Sequence, residues 1–245
     1  MNIRILEELS LNAWPSLQTK FYDGWILRFT DGYTKRANSV NPIYESEYAL
    51  DEKISFCEAQ YGAKNLPTVF KLTPESCPEY IDKRLEERGY MRLDETSVRI
   101  LDLLNAPFRE PEKVVIETRF KDNWINGYFK CSNTIDEETQ LTAKRVLDNI
   151  AGKVICVSKV IDGQIVGCGF GAIEREYMGI YNIVVDRSFR GNGYGFDLME
   201  GLLGEAKKLG VKTAYLSVVV GNTTAENLYS KIGFSEVYKY WYRSL

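Results

Sequence analysis

The 245-residue sequence predicts a mixed α/β fold, and three stretches carry that prediction. An apolar run at 180–185 leads into Arg190-Gly-Asn-Gly-Tyr-Gly195, after which Leu198, Met199, Leu202, Leu203, Ala206 and Leu209 recur at helical spacing. Apolar runs at 154–160 and 165–173 flank Asp162-Gly163, a dipeptide that favours the tight primed turn of a hairpin. A strand-like 213–219 precedes a helical 223–232 and an aromatic-rich strand at 235–242.

Taken in order, the C-terminal half begins with a strand at 114–118 and helical segments around 124–131 and 138–150. The hairpin follows, then a strand at 179–185, a helix at 193–209, the strand at 213–219, the helix at 223–232 and the final strand. In the N-terminal half, Gly24-Trp-Ile-Leu-Arg-Phe29 alternates like a strand and Asp31-Gly32 turns the chain towards 33–40. Residues 64–72 align without gaps on 208–216, an offset of about 144 residues that also sets Leu85-Glu-Glu-Arg-Gly-Tyr90 on Tyr229-Ser-Lys-Ile-Gly-Phe234. That register points to an internal duplication. Residues 105–113, with two prolines among charges, read as a linker. The expected boundaries are a lobe at 1–104, the linker at 105–113 and a second domain at 114–245.

A strand, a glycine-rich turn and a helix N-terminus together make an anion site. Backbone N–H groups lacking helical acceptors point outward, and the helix dipole adds partial positive charge. A nucleoside-triphosphate loop would need Lys-Ser or Lys-Thr after the glycines, and a dinucleotide fingerprint would need glycine where Phe196 stands. What remains is Arg-x-x-Gly-x-Gly, formed by Arg190, Gly193 and Gly195. This motif resembles the pyrophosphate loop of the GCN5-related N-acetyltransferases. A second segment, Asn222-Thr-Thr-Ala-Glu-Asn-Leu-Tyr-Ser-Lys-Ile-Gly-Phe234, is similar to that family's Asn-x-x-Ala-x-x-x-Tyr-x-x-x-Gly-Phe element. The resemblance covers about 114–245. It implies the family's mixed α/β acetyltransferase fold in the C-terminal half, with a degenerate copy in the N-terminal lobe. That lobe looks catalytically empty: Leu85 stands where Tyr229 would, Pro74 interrupts the corresponding strand, and no Arg-x-x-Gly-x-Gly is present.

Composition narrows the chemistry. With no histidine, imidazole bases and histidine-containing triads are excluded and most zinc catalysis with them, so no metal is expected. The net charge of −3 offers no basic field for nucleic acid. The longest apolar runs fall short of the roughly 18 residues of a spanning helix, and no charged-then-apolar leader opens the sequence. Five scattered cysteines (57, 77, 131, 156 and 168) read as reduced core residues of a cytoplasmic protein.

The resemblance implies acetyl-coenzyme A as cosubstrate. Its pyrophosphate would rest on the amides of Gly191, Asn192, Gly193, Tyr194 and Gly195, with Arg190 supplying charge. Its pantetheine arm would pair with the strand edge at Ile183, Val184 and Val185, where an N–H such as that of Ile183 would hold the developing oxyanion. Tyr229 is the candidate general acid for the departing thiolate. Asn222 caps the helix or meets the pantetheine, and Lys231 is a candidate phosphate contact. Glu174 and Glu176 are candidate bases, while Tyr181, Asn182, Arg36, Asn38 and Ser39 are candidate acceptor contacts. The acceptor is a small-molecule or peptide amine of open identity, and the protein a monomer or homodimer. Two readings stand beside acetyl transfer: a non-catalytic acyl-coenzyme A sensor and a nucleotide sensor.

Overall fold

A computed structural model describes residues 2–245. In chain order the first elements are α1 (Ile3–Ala13), β1 (Gln18–Tyr22), β2 (Trp25–Phe29), β3 (Val40–Asn41), α2 (Leu50–Gly62), β4 (Val69–Leu72), α3 (Ile81–Glu87) and β5 (Met91–Asp102). Then come β6 (Val114–Glu117), α4 (Asp122–Ser132), α5 (Glu137–Asp148), β7 (Lys153–Ile161), β8 (Gln164–Glu174) and β9 (Tyr177–Val185). A short 3-10 turn at Arg187–Phe189 leads to α6 (Tyr194–Lys208), β10 (Thr213–Val219), α7 (Thr223–Ile232) and β11 (Ser235–Ser244). Every element expected in the C-terminal half is present within a few residues of its expected bounds.

Two compact units divide these elements, and they are not two contiguous halves. The first comprises Met1–Val98, Val219–Gly221 and Glu236–Leu245; the second comprises Arg99–Val218 and Asn222–Ser235. The expected boundaries assign β11 to the C-terminal domain, but its contacts belong to the first unit.

The reason is strand pairing. In the first unit the strands run β1-β2-β3-β4-β11-β5, and β11 lies antiparallel to β4 with Trp241 opposite Leu72 and Ser244 opposite Val69. Polar ties reinforce that place. Tyr238 donates to Glu7 Oε1 at 2.6 Å, and Glu7 also pairs with the buried Lys71 of β4 at 2.5 Å. The Arg243 guanidinium forks onto Asp82 of α3 at 2.8 and 3.1 Å. Trp25, Leu27, Ile54, Phe70, Leu72 and Leu85 form the core beneath.

In the second unit, residues 99–102 of β5 lead a sheet ordered β5-β10-β9-β8-β7-β6. Of the stripe expected from periodicity, Leu198, Met199, Leu202, Leu203 and Ala206 of α6 are wholly buried against Ile155, Val157, Met178, Ile180 and Leu216, whereas Leu209 lies just past the end of the helix and is exposed. Residues 105–113 do not span free space. Phe108 packs against the α6 core, the Arg109 N–H donates to Glu200 Oε2 at 2.7 Å, and Lys207 donates to the Ala106 carbonyl at 2.9 Å.

A chain ending at Ser235 is expected to leave β4 without its antiparallel neighbour. Hydrogen exchange of β4 amides should then accelerate by several orders of magnitude, approaching unfolded rates; unchanged protection would show that the first unit does not need β11.

Candidate active site

The site begins where two strands stop pairing. β9 and β10 run parallel from Tyr177 opposite Thr213 to Ile180 opposite Leu216, and the ladder ends there although both strands continue. Close packing holds the paired stretch: any Cβ on Gly179 would lie 2.6 Å from the Tyr215 ring. Beyond Ile180, β9 presents its backbone edge on that side without a strand partner.

A bulge re-aims β9 at this point. Phe170 of β8 faces Tyr181, but Cys168 faces Val184, so two residues of β9 oppose Gly169 alone. Asn182 enters the left-handed region with φ 54° to absorb the extra residue. Gly169 is required across from it, because a Cβ there would overlap Ile183 Cδ1. Buried Asn182 Nδ2 has no acceptor.

The glycine-rich loop follows directly and is shaped by its own polar groups. Asp186 accepts from the Ser188 N–H at 2.9 Å, Arg190 Nε donates to the Val185 carbonyl at 3.1 Å, and Asn192 Nδ2 donates to the Phe189 carbonyl at 3.0 Å. Gly191 and Gly193 take φ of 82° and 79°, and nothing lies within 4 Å of where their Cβ atoms would stand. The N–H groups of Gly191, Asn192, Gly193, Tyr194 and Gly195 find no backbone acceptor among the described residues. They form a preorganised nest at the N-terminus of α6. The nearby Asp197 carboxylate is neutralised by Lys159, almost fully buried, at 2.7 Å and by Arg109 at 2.8 Å.

Helix α7 brings the second motif to this nest. Asn222 Oδ1 caps the helix by accepting from the Ala225 N–H at 3.3 Å, and Gly233 ends it with φ 109°. Gly195 lets it approach, since a Cβ there would stand 3.3 Å from Leu228 Cδ2. Tyr229, the next residue, is half-buried, and its ring lies 6.1 Å from that of Phe234. Burial raises its phenol pKa above the ordinary value of 10.0. Lys231 is exposed in the last turn of α7.

The remaining candidates are placed elsewhere. Glu174 and Glu176 lie at the β8–β9 turn, where Glu174 faces Tyr177, and the strand from there to Ile183 extends roughly 20 Å. Glu176 pairs with Lys212 at 2.7 Å, and Glu174 with Arg175 at 3.8 Å. Tyr181 is buried and stacks on Phe170 with centroids 5.4 Å apart. In the first unit, Asn38 is saturated by the backbone of its own turn: Oδ1 accepts from Thr30 and Gly32, and Nδ2 donates to the Thr30 and Thr34 carbonyls. Ser39 is fully buried, and Arg36 lies over the Trp14 ring at 5.7 Å. Sequence reasoning missed Gly169 and the Lys159–Asp197 pair, each of which meets its partner only once the strands and α6 are packed.

Comparison with known proteins places the chain in a family. A family model described as "Probable histone acetyltransferase Rv0428c C-terminal" matches residues 1–243. The chain belongs to this acetyltransferase family, within the GCN5-related N-acetyltransferases. It is similar to an uncharacterized N-acetyltransferase, YobR, of Bacillus subtilis, with 27% identity over 99% of this chain and 98% of that one. Among solved structures, a GCN5-related N-acetyltransferase from Kribbella flavida superposes with TM-score 0.74 at 14% identity, covering 98% of this chain and 94% of the other. A tandem acetyltransferase of this family from the clavulanic acid biosynthesis pathway superposes with TM-score 0.63 at 13% identity, covering 98% and 87%. The tandem fold accords with the repeated order β4-α3-β5 and β10-α7-β11. Among the described residues, no group of three or more His, Cys, Asp or Glu side chains is placed to hold a metal ion. No helix is long and apolar enough to cross a membrane.

Two glycine substitutions separate strain from contact. Gly193→Ala is expected to cost about 1–2 kcal/mol, the left-handed penalty alone. Gly169→Ala carries no such penalty but displaces Ile183 and is expected to cost about 1–3 kcal/mol. Urea unfolding measures both, and only Gly169→Ala is expected to change the hydrogen exchange of β9. Unaltered β9 exchange in that variant would remove the steric reason for the glycine.

Proposed function

We propose that this N-acetyltransferase moves an acetyl group from acetyl-coenzyme A to a primary amine by direct attack, with Tyr229 as general acid. The observation that carries the reading is the unpaired edge of β9 running straight into a nest of five amides lacking backbone acceptors. A ligand with amides along its arm and a pyrophosphate at its end matches that sequence of donors and acceptors.

In this reading the nest and Arg190 bind the pyrophosphate, and the β9 edge orients the pantetheine arm. A backbone N–H at the bulge, that of Ile183, polarises the thioester carbonyl and stabilises the oxyanion as the amine nitrogen attacks. The carbon–sulfur bond breaks, and the Tyr229 phenol passes its proton to the sulfur. The raised phenol pKa suits an acid, because the proton is retained throughout the neutral range. The amine releases its own proton to water, a route favoured here because Glu174 and Glu176 sit at the far end of β9 with cationic partners. The acceptor is a small-molecule or peptide amine, and the protein acts in the cytoplasm.

Thermal melting with coenzyme A, acetyl-coenzyme A, ATP and NADH tests the nest. Either form of coenzyme A at about 100 times its dissociation constant should stabilise the fold by roughly 2.7 kcal/mol, and the other two ligands should not. A shift with ATP or NADH alone would overturn the assignment. Thiol release from acetyl-coenzyme A across a panel of amino acids, polyamines and short peptides tests turnover; binding without release from any of them would favour the sensor reading.

Tyr229→Phe is expected to keep the melting shift and lower kcat at least tenfold. Because burial raises the phenol pKa, loss of the acid on the alkaline side should set in at a higher pH than for a solvent-exposed tyrosine. The variant should lack that limb, and unchanged turnover in it would remove Tyr229 from the acid role.

A further inference from the structure

We infer that Arg99, near the end of β5, is the positioning residue that holds α7 so that Tyr229 meets the reacting sulfur; this rests on the general-acid reading of Tyr229. Not one residue of α7 is fully buried, so the helix that carries the acid is lightly anchored. Ala225, Leu228, Tyr229 and Ile232 rest on the core only in part. Apolar contact of that kind resists lifting but permits small rotations and slips along the axis.

Arg99 removes that freedom. Its Nη1 donates to Ser230 Oγ at 3.0 Å and to the Glu226 carbonyl at 3.4 Å, while Nη2 stands 3.6 Å from Glu226 Oε1. Glu226 and Ser230 are one helical turn apart and bracket Tyr229. A planar guanidinium spanning both therefore fixes rotation and axial register together, which a lysine's point charge does not do. The Arg99 side chain is 13% exposed, while its bond to Ser230 lies at the surface.

The consequence is catalytic because a misplacement of about 1 Å can cost up to about a hundredfold in rate. The full-length enzyme with Arg99→Ala is expected to keep the coenzyme A melting shift and to lose about tenfold in kcat with little change in the KM for acetyl-coenzyme A. In the Tyr229→Phe background the same substitution should cost less than twofold more, since a residue acting through Tyr229 has nothing left to position. A full second tenfold loss there would mark Arg99 as a general structural support and overturn the inference. Arg99→Lys should recover only part of the rate.

Hydrogen exchange supplies a readout that needs no acceptor. Amides of 225–232 should exchange at least tenfold faster in Arg99→Ala, with α6 and β9 unchanged. Unaltered α7 exchange would overturn the clamp whatever the turnover. Wild-type turnover in Tyr229→Phe, with α7 exchange still raised in Arg99→Ala, would remove the general acid and leave the clamp as a structural one.

Discussion

The parallel ladder between β9 and β10 closes tightly at Gly179 against Tyr215 and then ends at Ile180 and Leu216, and the rest of the second unit is arranged around that parting. A strand leaving a parallel sheet exposes a row of N–H and C=O groups, which a folded chain ordinarily covers. Here the bulge at Asn182 turns β9 out of the ladder, and Gly169 yields the space Ile183 then needs. The exposed edge ends at Val185, and the Arg190 Nε bond to the Val185 carbonyl ties the loop that carries the nest to that end. Helix α7 lies close beside the nest, where a Cβ on Gly195 would stand 3.3 Å from Leu228 Cδ2.

Electrostatics follow the same logic. A carboxylate in the first turn of α6 would offset the positive field of the nest's N–H groups. Asp197 occupies that turn, yet Lys159 and Arg109 take both of its oxygens. The buried Lys159 is itself compensated twice, by Asp197 and by the Glu112 carbonyl at 2.7 Å. The segment joining β5 to β6 therefore has an electrostatic role beside a connecting one: Arg109 and the Glu112 carbonyl complete the compensation of the Lys159–Asp197 pair.

What the sequence made legible was local. The α6 stripe, the Asp-Gly hairpin, the cap at Asn222 and the stop at Gly233 depend on neighbours within a few residues, and each appears as its chemistry requires. Asn182 was legible as a candidate contact but not as a left-handed residue, because the bulge is decided by register against β8. Glu174 and Glu176 are near the motif in sequence, yet a strand extends about 3.3 Å per residue and carries them away from it. Asn38 looked available because its four backbone partners come from one compact turn that no periodicity announces. The place of β11 is the least local fact of all, since it is set by pairing with β4 well over a hundred residues earlier.

That placement divides consecutive elements of the chain between the two units. After Gly233 the backbone that has just formed α7 continues straight into β11. Within the first unit, β11 is fixed by the ladder to β4, by the Arg243 fork on Asp82 and by Tyr238 on Glu7. Helix α7 itself belongs to the second unit, together with Gly233 that ends it. Arg99 grips the same helix from a second strand, at its middle turns. A short helix with no fully buried residue thus gains, beside its partial packing on the core, a polar tie within its own unit.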